Sequence, residues 1–500
     1  MDLVLAVDIG TGSCRCALYN RQLQRLSTEI VEYSTQYPQP DWAEQDPEEI
    51  YDCILQAIKK TLSKSDQNSE NVIALTLDCS IHTLLGLAPD RSPVTPILTW
   101  EDSRARHLVE RWKQKGLGSE VYALTGCPLH PMYSSAKIAW WRENNPDLFK
   151  RIETFVTAKA FVLYRLTGTL LEDRATVSGS GLLNVNKLDW DDRVLSMAGI
   201  SRDQLPPVVE PTVRINSIRP EISRKTNLPV ATPVIIGSSD AAMSSLGSGT
   251  IDPGQMTVMI GTSGAVRRLV RRPTLDPQQR TFCYYIGNGL WFAGGAINNG
   301  GIALRWFRDN FGERARKEAQ KAGVSVYEIL CKDAQTAPPG ADGLFFLPFL
   351  AGERSPHWQG SMRGILFGLS LHHSQAHVIR SLIEGICYRL LSVVNPLEKL
   401  IGGSSEIRVT GGFTRSQFWL QTLSDILGRD LMVTGEPEGS VLGAAAFAYH
   451  TLGMIDSFQD MLARNPIVRK VIPDTESHEF YQTQFDRYMH LYWKFQQEFD

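Results

Sequence analysis

The chain has no apolar run long enough to span a bilayer, so nothing in its 500 residues reads as a membrane helix, and no membrane is expected as a partner. Charge of one sign is also scarce in excess. The formal net charge is -3, and no long run of like charge creates a local basic field, so nucleic acid is not an expected partner. The eight cysteines are scattered, without CxxC or Cys/His ligand spacing, which argues against a disulfide scaffold or a zinc site. A Walker-type GxxxxGK[ST] loop is absent as well. The short apolar stretch Leu3–Ala6 begins after an acidic residue and runs into Asp8, the wrong pattern for a signal peptide; the expected location is cytoplasmic.

What is present is enough apolar sequence for more than one core: 43% hydrophobic and 21% charged residues over this length predict two or three domains. The most informative feature is an internal echo. Leu3–Val7, the turn Asp8–Ser13 and Cys14–Leu18 form an apolar strand, a Gly-Thr turn and a second strand. Met256–Ile260, Gly261–Gly264 and Ala265–Val270 repeat the pattern in the second half. One Gly-Thr hairpin is ordinary turn punctuation. Two, opening the two halves of a chain, suit a duplicated fold whose turns present backbone N–H groups to an anion held between them.

Between and after the hairpins, strands alternate with helices. Helices are predicted over 47–62 with Asp46 as N-cap, 136–144, 158–166, 301–311, 377–394 and 417–427. Strands are predicted over 72–77, 233–236 and 407–410. This is an α/β pattern with helices on both sheet faces, and Gly, Ser and Pro cluster near 247–253 as a boundary. Aromatics at Tyr481, Phe485, Tyr488, Tyr492, Phe495 and Phe499 share one helical face. That face either docks a second copy, giving a homodimer, or packs the terminal helix on its own lobe, the preferred reading.

Two carboxylates at strand ends fit phosphoryl transfer, which needs a metal-held nucleotide and a base at the acceptor hydroxyl. Asp8 lies beside the first turn and Asp240 follows the strand ending at Ile236, although an Asp after a strand is also a common capping residue. The sequence Asp8-Ile9-Gly10-Thr11-Gly12-Ser13-Cys14-Arg15 resembles the first phosphate motif of the FGGY carbohydrate kinases. Gly237-Ser238-Ser239-Asp240 is similar to their catalytic turn, and Gly364–Leu369 followed by His377–Glu384 to their C-terminal signature. The resemblance runs through nearly the whole chain. Gly12 and Cys14 depart from it, standing where Thr, or Thr or Ser, is common.

This resemblance implies two actin-like (ribonuclease H-like) lobes around a central cleft. Residues 1–246 would bind sugar and carry the first phosphate hairpin and catalytic Asp; residues 247–500 would carry the second hairpin and the adenosine site. It further implies ATP and Mg2+ as cofactors, Asp240 as general base and Asp8 as the metal-side carboxylate. Gly10, Thr11, Gly12, Arg15, Gly261, Thr262, Gly301 and Arg305 would hold phosphates, and Gly412 and Ser416 would touch adenosine.

Substrate recognition is expected from the first lobe: His82, the Trp100-x-Asp102-x-Arg104 segment, and His130-Pro131-Met132, which resembles FGGY-type gluconokinases. His82 and Arg104 also have plain structural readings. Glycerol kinases carry an aromatic at the Met132 position and an Arg-Glu pair near His82, and both are missing. The implied activity is phosphorylation of a small sugar acid, gluconate first and a ketopentose such as xylulose or ribulose second. His82, His130, Lys137 and Arg104 are candidates to read a carboxylate. A protein-binding actin-like ATPase would lack Asp240 and the signature through Glu384. A sugar-binding regulator finds support only in the departures at Gly12, Ser80 and Ile81.

Overall fold

The computed structural model describes residues 2–435, 439–459 and 465–499; the outer limits of the two expected domains, residues 1 and 500, fall outside. Each half of the chain is built on one large mixed sheet. In the first, β1 (Leu3–Ile9), β2 (Ser13–Asn20) and β3 (Arg25–Glu32) form an antiparallel meander. Helix α1 (Pro47–Lys64) follows, started by Asp46, whose side chain accepts the Glu48 N–H, and by Pro47, which has no N–H to lose there. Its buried face, including Ile50, Ile54, Ile58 and Leu62, covers the sheet. The chain then adds β4 (Val72–Cys79) parallel to β1, helix α2 (Ala158–Thr167), the antiparallel edge β5 (Arg214–Ile215) and β6 (Val234–Ile235) parallel to β4. Helix α3 (Asp240–Gly247) closes this half.

The second half repeats the arrangement with β7 (Gln255–Ile260), β8 (Gly264–Val270), β9 (Phe282–Gly287) and β10 (Leu290–Ile297), followed by α4 (Gly301–Phe311) and the long α5 (Gln375–Ile401). It ends with β11 (Glu406–Thr410), α6 (Gln417–Leu427), β12 (Leu431–Thr434), α7 (Gly439–Thr451), β13 (Ile467–Val471) and α8 (Thr475–Gln496). The six-stranded sheet runs β5-β6-β4-β1-β2-β3 and the seven-stranded one β9-β10-β8-β7-β11-β12-β13. Strand by strand, β1 corresponds to β7, β2 to β8, β3 to β10, β4 to β11, β6 to β12 and β5 to β13, with the same parallel and antiparallel neighbours.

The halves are joined through α3 and α7, which cross at backbone contact. A Cβ built at Gly247 would lie 1.9 Å from the Gly439 carbonyl oxygen, and one at Gly443 1.9 Å from that of Met243. Only glycine permits this approach. Val441 and Ala444 to Tyr449 thereby reach the first sheet, filling a core with Val4, Ala6, Ala17 and Tyr19. The aromatic face of α8 packs on its own half: Tyr481 donates to Glu384 and Tyr492 to Glu353, both buried. All eight cysteines are free, and only Cys53 is not fully buried. No helix among the described residues is long and apolar enough to cross a membrane.

Candidate active site

A cleft cavity of about 630 Å3 lies between the sheets, bordered by both glycine turns. Each turn is held from behind. In the first, the Tyr33 hydroxyl takes the Gly10 carbonyl, Gln45 takes that of Thr11, and the Tyr33 N–H takes that of Gly12. In the second, the opening amides of α4 do this work: Gly301 N–H donates to Gly261 O at 2.7 Å, and Gly300 and Ile302 N–H to Thr262 O at 3.2 and 3.0 Å. With carbonyls occupied, the amide edges of both turns suit an anion. Arg305 reaches the second turn, its Nη2 donating to Thr262 Oγ1 at 3.3 Å, and lines the cavity.

Asp240 stands on the opposite wall, put there by local chemistry. Gly237, with φ +73°, lets the chain leave β6 so closely over β4 that a Cβ would lie 1.9 Å from the Leu77 carbonyl oxygen. Lys159 on α2 clamps that turn, donating to the carbonyls of Gly237 and Ser238 at 3.0 and 2.9 Å while pairing with Asp173 at 2.6 Å. Ser239 caps α3, and Asp240 is its first residue rather than the end of a turn. The helix terminus and Arg267 favour the charged carboxylate, but burial outweighs them and, with Asp8 nearby, raises the Asp240 carboxyl to about 7.

Asp8 and Asp78 face each other across β1 and β4. Asp8 Oδ2 accepts from Ser440 Oγ at 2.6 Å, a bond from α7, whereas its Oδ1 and both Asp78 oxygens are buried without a partner. Burial, reinforced by Asp8, pushes the Asp78 carboxyl well above the usual carboxylate range. Sequence reading passed over Asp78 because it sits inside a strand, where one Asp gives no pattern.

On the sugar side, His82 and Trp100 line the cavity. Trp100 Nε1 donates to Thr11 Oγ1 at 2.9 Å, linking this wall to the first turn. His82 holds a positive φ of 71°, a costly backbone for a non-glycine residue, and its Nδ1 lies 2.6 Å from Gly179 O. That bond assigns the proton to Nδ1 and leaves Nε2 as an acceptor. Burial lowers its pKa to about 3, so His82 is neutral.

Several expectations need correction. Asp102 does not face the cavity: its carboxylate, fully buried, is taken by Arg104 and by the Ala43 N–H at 2.9 Å. Arg104 is consumed by Asp102 and Glu44 and by stacking on Trp42 at 3.9 Å. Lys137 spends its ammonium on the carbonyls of His82 and Thr99 at 2.8 and 2.7 Å. His130 and Met132 lie behind the wall, and burial holds the His130 imidazole neutral. None of the four residues expected to read a carboxylate is therefore an available cation. The wall is not made by the first half alone either: Arg267, Phe282, Tyr284 and Arg354 come from the second. Consecutive arginines at Arg267 and Arg268 in an apolar strand send one to each sheet face, a period-two signal that could have pointed there.

The remaining expected residues are more dispersed. Arg15 sits opposite Asp8 in the β1–β2 register. Gly412 and Ser416 lie beyond β11 and do not border the cavity; Ser416 caps α6 by accepting the Trp419 N–H at 3.2 Å.

Comparison with known proteins agrees with this architecture. Residues 3–247 match the N-terminal domain, and 256–452 the C-terminal domain, of the FGGY family of carbohydrate kinases. The chain belongs to that family, and its activity is transfer of phosphate from ATP to a carbohydrate. It is 34% identical to a gluconokinase of Bacillus subtilis over 91% of this chain and 88% of that protein. Among solved structures, a ligand-bound xylulose kinase from Lactobacillus acidophilus matches with TM-score 0.92 at 29% identity, covering 100% of this chain and 99% of the other. A gluconate kinase from the same organism matches with TM-score 0.91 at 29% identity, covering 99% and 98%.

Proposed function

We propose that the chain phosphorylates gluconate to 6-phosphogluconate, with Asp240 as general base. The observation that carries this reading is the Asp240 carboxyl, poised near neutrality in the wall opposite both glycine turns. Asp240 takes the acceptor hydroxyl proton as that oxygen bonds to the γ-phosphorus, while the bridging bond breaks and ADP leaves. Gly10, Thr11, Gly12, Arg15, Gly261 and Thr262, with Gly301 and Arg305, hold the phosphates; Gly412 and Ser416 serve the adenosine end, outside the deep cavity. Residues 1–246 form the lobe with the base and first turn, and 247–500 the lobe with the second. His82 Nε2 accepts a sugar hydroxyl, and Trp100 offers an apolar face to the carbon chain.

Magnesium fits this site. The orphaned, buried Asp8 Oδ1 and the Asp78 oxygens would orient the water shell of an ion brought with the nucleotide. Among the described residues no group of three or more His, Cys, Asp or Glu is arranged to hold a metal, so the phosphates would supply its direct ligands. When bound, the ion neutralises charge on the phosphates.

The relatives' names favour gluconate, and the likeness to the ligand-bound xylulose kinase supports a ketopentose as the second reading. ADP release measured against gluconate, xylulose, ribulose and glycerol decides between them. Gluconate should give the highest kcat/KM; a ketopentose leading while gluconate stays at background would overturn the assignment.

A further inference from the structure

Buried arginines in this protein follow a rule with two exceptions. Arg104, Arg380, Arg389 and Arg408 pair with carboxylates, and Arg268 donates to the carbonyls of Gly402 and Gly403. Arg267 and Arg354 are as buried, at 8% and 6% exposure, yet no carboxylate among the described residues lies within ion-pairing distance of either. Arg267 Nη1 and Arg354 Nε are buried without any hydrogen-bond partner. Arg354 otherwise stacks over Trp100 at 4.7 Å and donates to Ile297 O at 3.2 Å. Both line the cleft cavity. An unpaired guanidinium is costly to bury, and two in one wall are costlier still, unless an anion arrives to meet them.

Position argues for the sugar end of the cleft. Arg305, not Arg267 or Arg354, bonds the second glycine turn. Arg354 lies against Trp100, beside His82, Tyr284 and Phe282. Tyr284 is fixed there by its hydroxyl contact of 2.8 Å with Tyr133 and by stacking on Phe282 at 4.2 Å. Arg267 projects from β8 on the same face as Ala265, toward Asp240. An acceptor whose terminal hydroxyl meets Asp240 must extend its other end along this wall.

We infer that Arg267 and Arg354 together form the receptor for the substrate's carboxylate, and so decide between a sugar acid and an uncharged sugar. The inference rests on the sugar-acid reading above. Burial draws both guanidiniums below their ordinary pKa, Arg354 to about 10, so each stays protonated at neutral pH and gains from a counter-charge. The planar forks suit bidentate capture of a carboxylate, and because the second lobe supplies them, binding of the acid would draw the lobes together.

The test compares D-gluconate with D-gluconamide, which has the same chain without the charge, in wild type, Arg267→Met and Arg354→Met. Wild type should prefer gluconate by about 100-fold or more in kcat/KM, as expected for desolvated charge pairs. Each variant should lose most of that preference, falling far more on gluconate than on gluconamide, with KM for ATP unchanged. Without ligand both variants should melt no lower than wild type, since they delete an unpaired buried charge, and gluconate should raise the Tm of wild type only. Equal losses on the two substrates, or a raised KM for ATP, would assign the arginines to the base or the phosphates and overturn the inference. Wild type that turns over xylulose but not gluconate would sink the substrate reading itself, a result visible before any variant is made.

Discussion

The two glycine turns have the same fold and different chemistry. Two residues before the turn glycine, β1 carries Asp8 and β7 carries Met259. Their register partners are Arg15 and Asp78 around Asp8, but Ala265 and Thr410 around Met259. The first turn is buttressed by side chains, Tyr33 and Gln45, and the second by the amides of α4. Duplication thus supplied paired geometry, while single side chains divided the labour: acids cluster in the first half, and the cavity's unpaired guanidiniums come from the second. The comparison predicts where the site is sensitive.

The largest effect should come from removing the acid that has no counterpart in the second half. Asp240→Asn should cost at least about 10³-fold in kcat, consistent with loss of a positioned base, and leave ATP affinity near normal in a binding titration. Retention of most turnover would remove Asp240 from that role. In wild type, kcat/KM should fall tenfold per pH unit below about 7, as Asp240 takes up a proton. The sign for stability is the reverse. Because the folded-state pKa is raised from 3.8 to about 7, the native state holds the extra proton in that window and loses stability as pH rises through it. Asp240→Asn should therefore melt above wild type at pH 8, and the gap should close toward pH 4 in calorimetry.

The next effect distinguishes the buttresses. A Cβ at Gly300 would lie 2.4 Å from the Ser263 carbonyl oxygen, backbone that cannot yield without moving the turn. Gly300→Ala should destabilise by about 1–3 kcal/mol, the usual range for overpacking, and raise KM for ATP more than KM for sugar. An unchanged melting curve and ATP KM would show that α4 does not hold the second turn.

Much of this was legible in sequence because it is local. The Asp46-Pro47 start of α1, both hairpins, and helices α4 and α6 are written in neighbouring residues whose capping, turn and period-3.6 preferences agree with the final fold. Helix α3 escaped because Ala241 to Gly247 is short and ends in Gly and Ser, which read as a linker. The carboxylate readers escaped for a different reason. Whether a cation is free depends on partners far along the chain: Lys137 is occupied by the carbonyl of His82, and Arg104 by Glu44, whereas Arg354 meets Trp100 across the cleft. Residue type nominated these cations; only the tertiary structure could count their bonds.

The smallest effect should fall on the residue that departs most visibly from the family pattern. Gly12 lies in the first turn with nothing within 4 Å of a built Cβ, the opposite of Gly300 in the second. Its carbonyl accepts from the Tyr33 N–H at 3.2 Å, a bond any residue can make, so the turn does not need glycine for its shape. Gly12→Ala should change stability by no more than about 0.5 kcal/mol and leave KM for ATP within a factor of two, because the backbone N–H offered to phosphate is retained. Gly12→Thr, restoring the hydroxyl common in the family, should tighten ATP if that hydroxyl adds a phosphate bond. A tenfold loss in either variant would show that the open space at Gly12 is filled by nucleotide, making the two turns less alike than their strands.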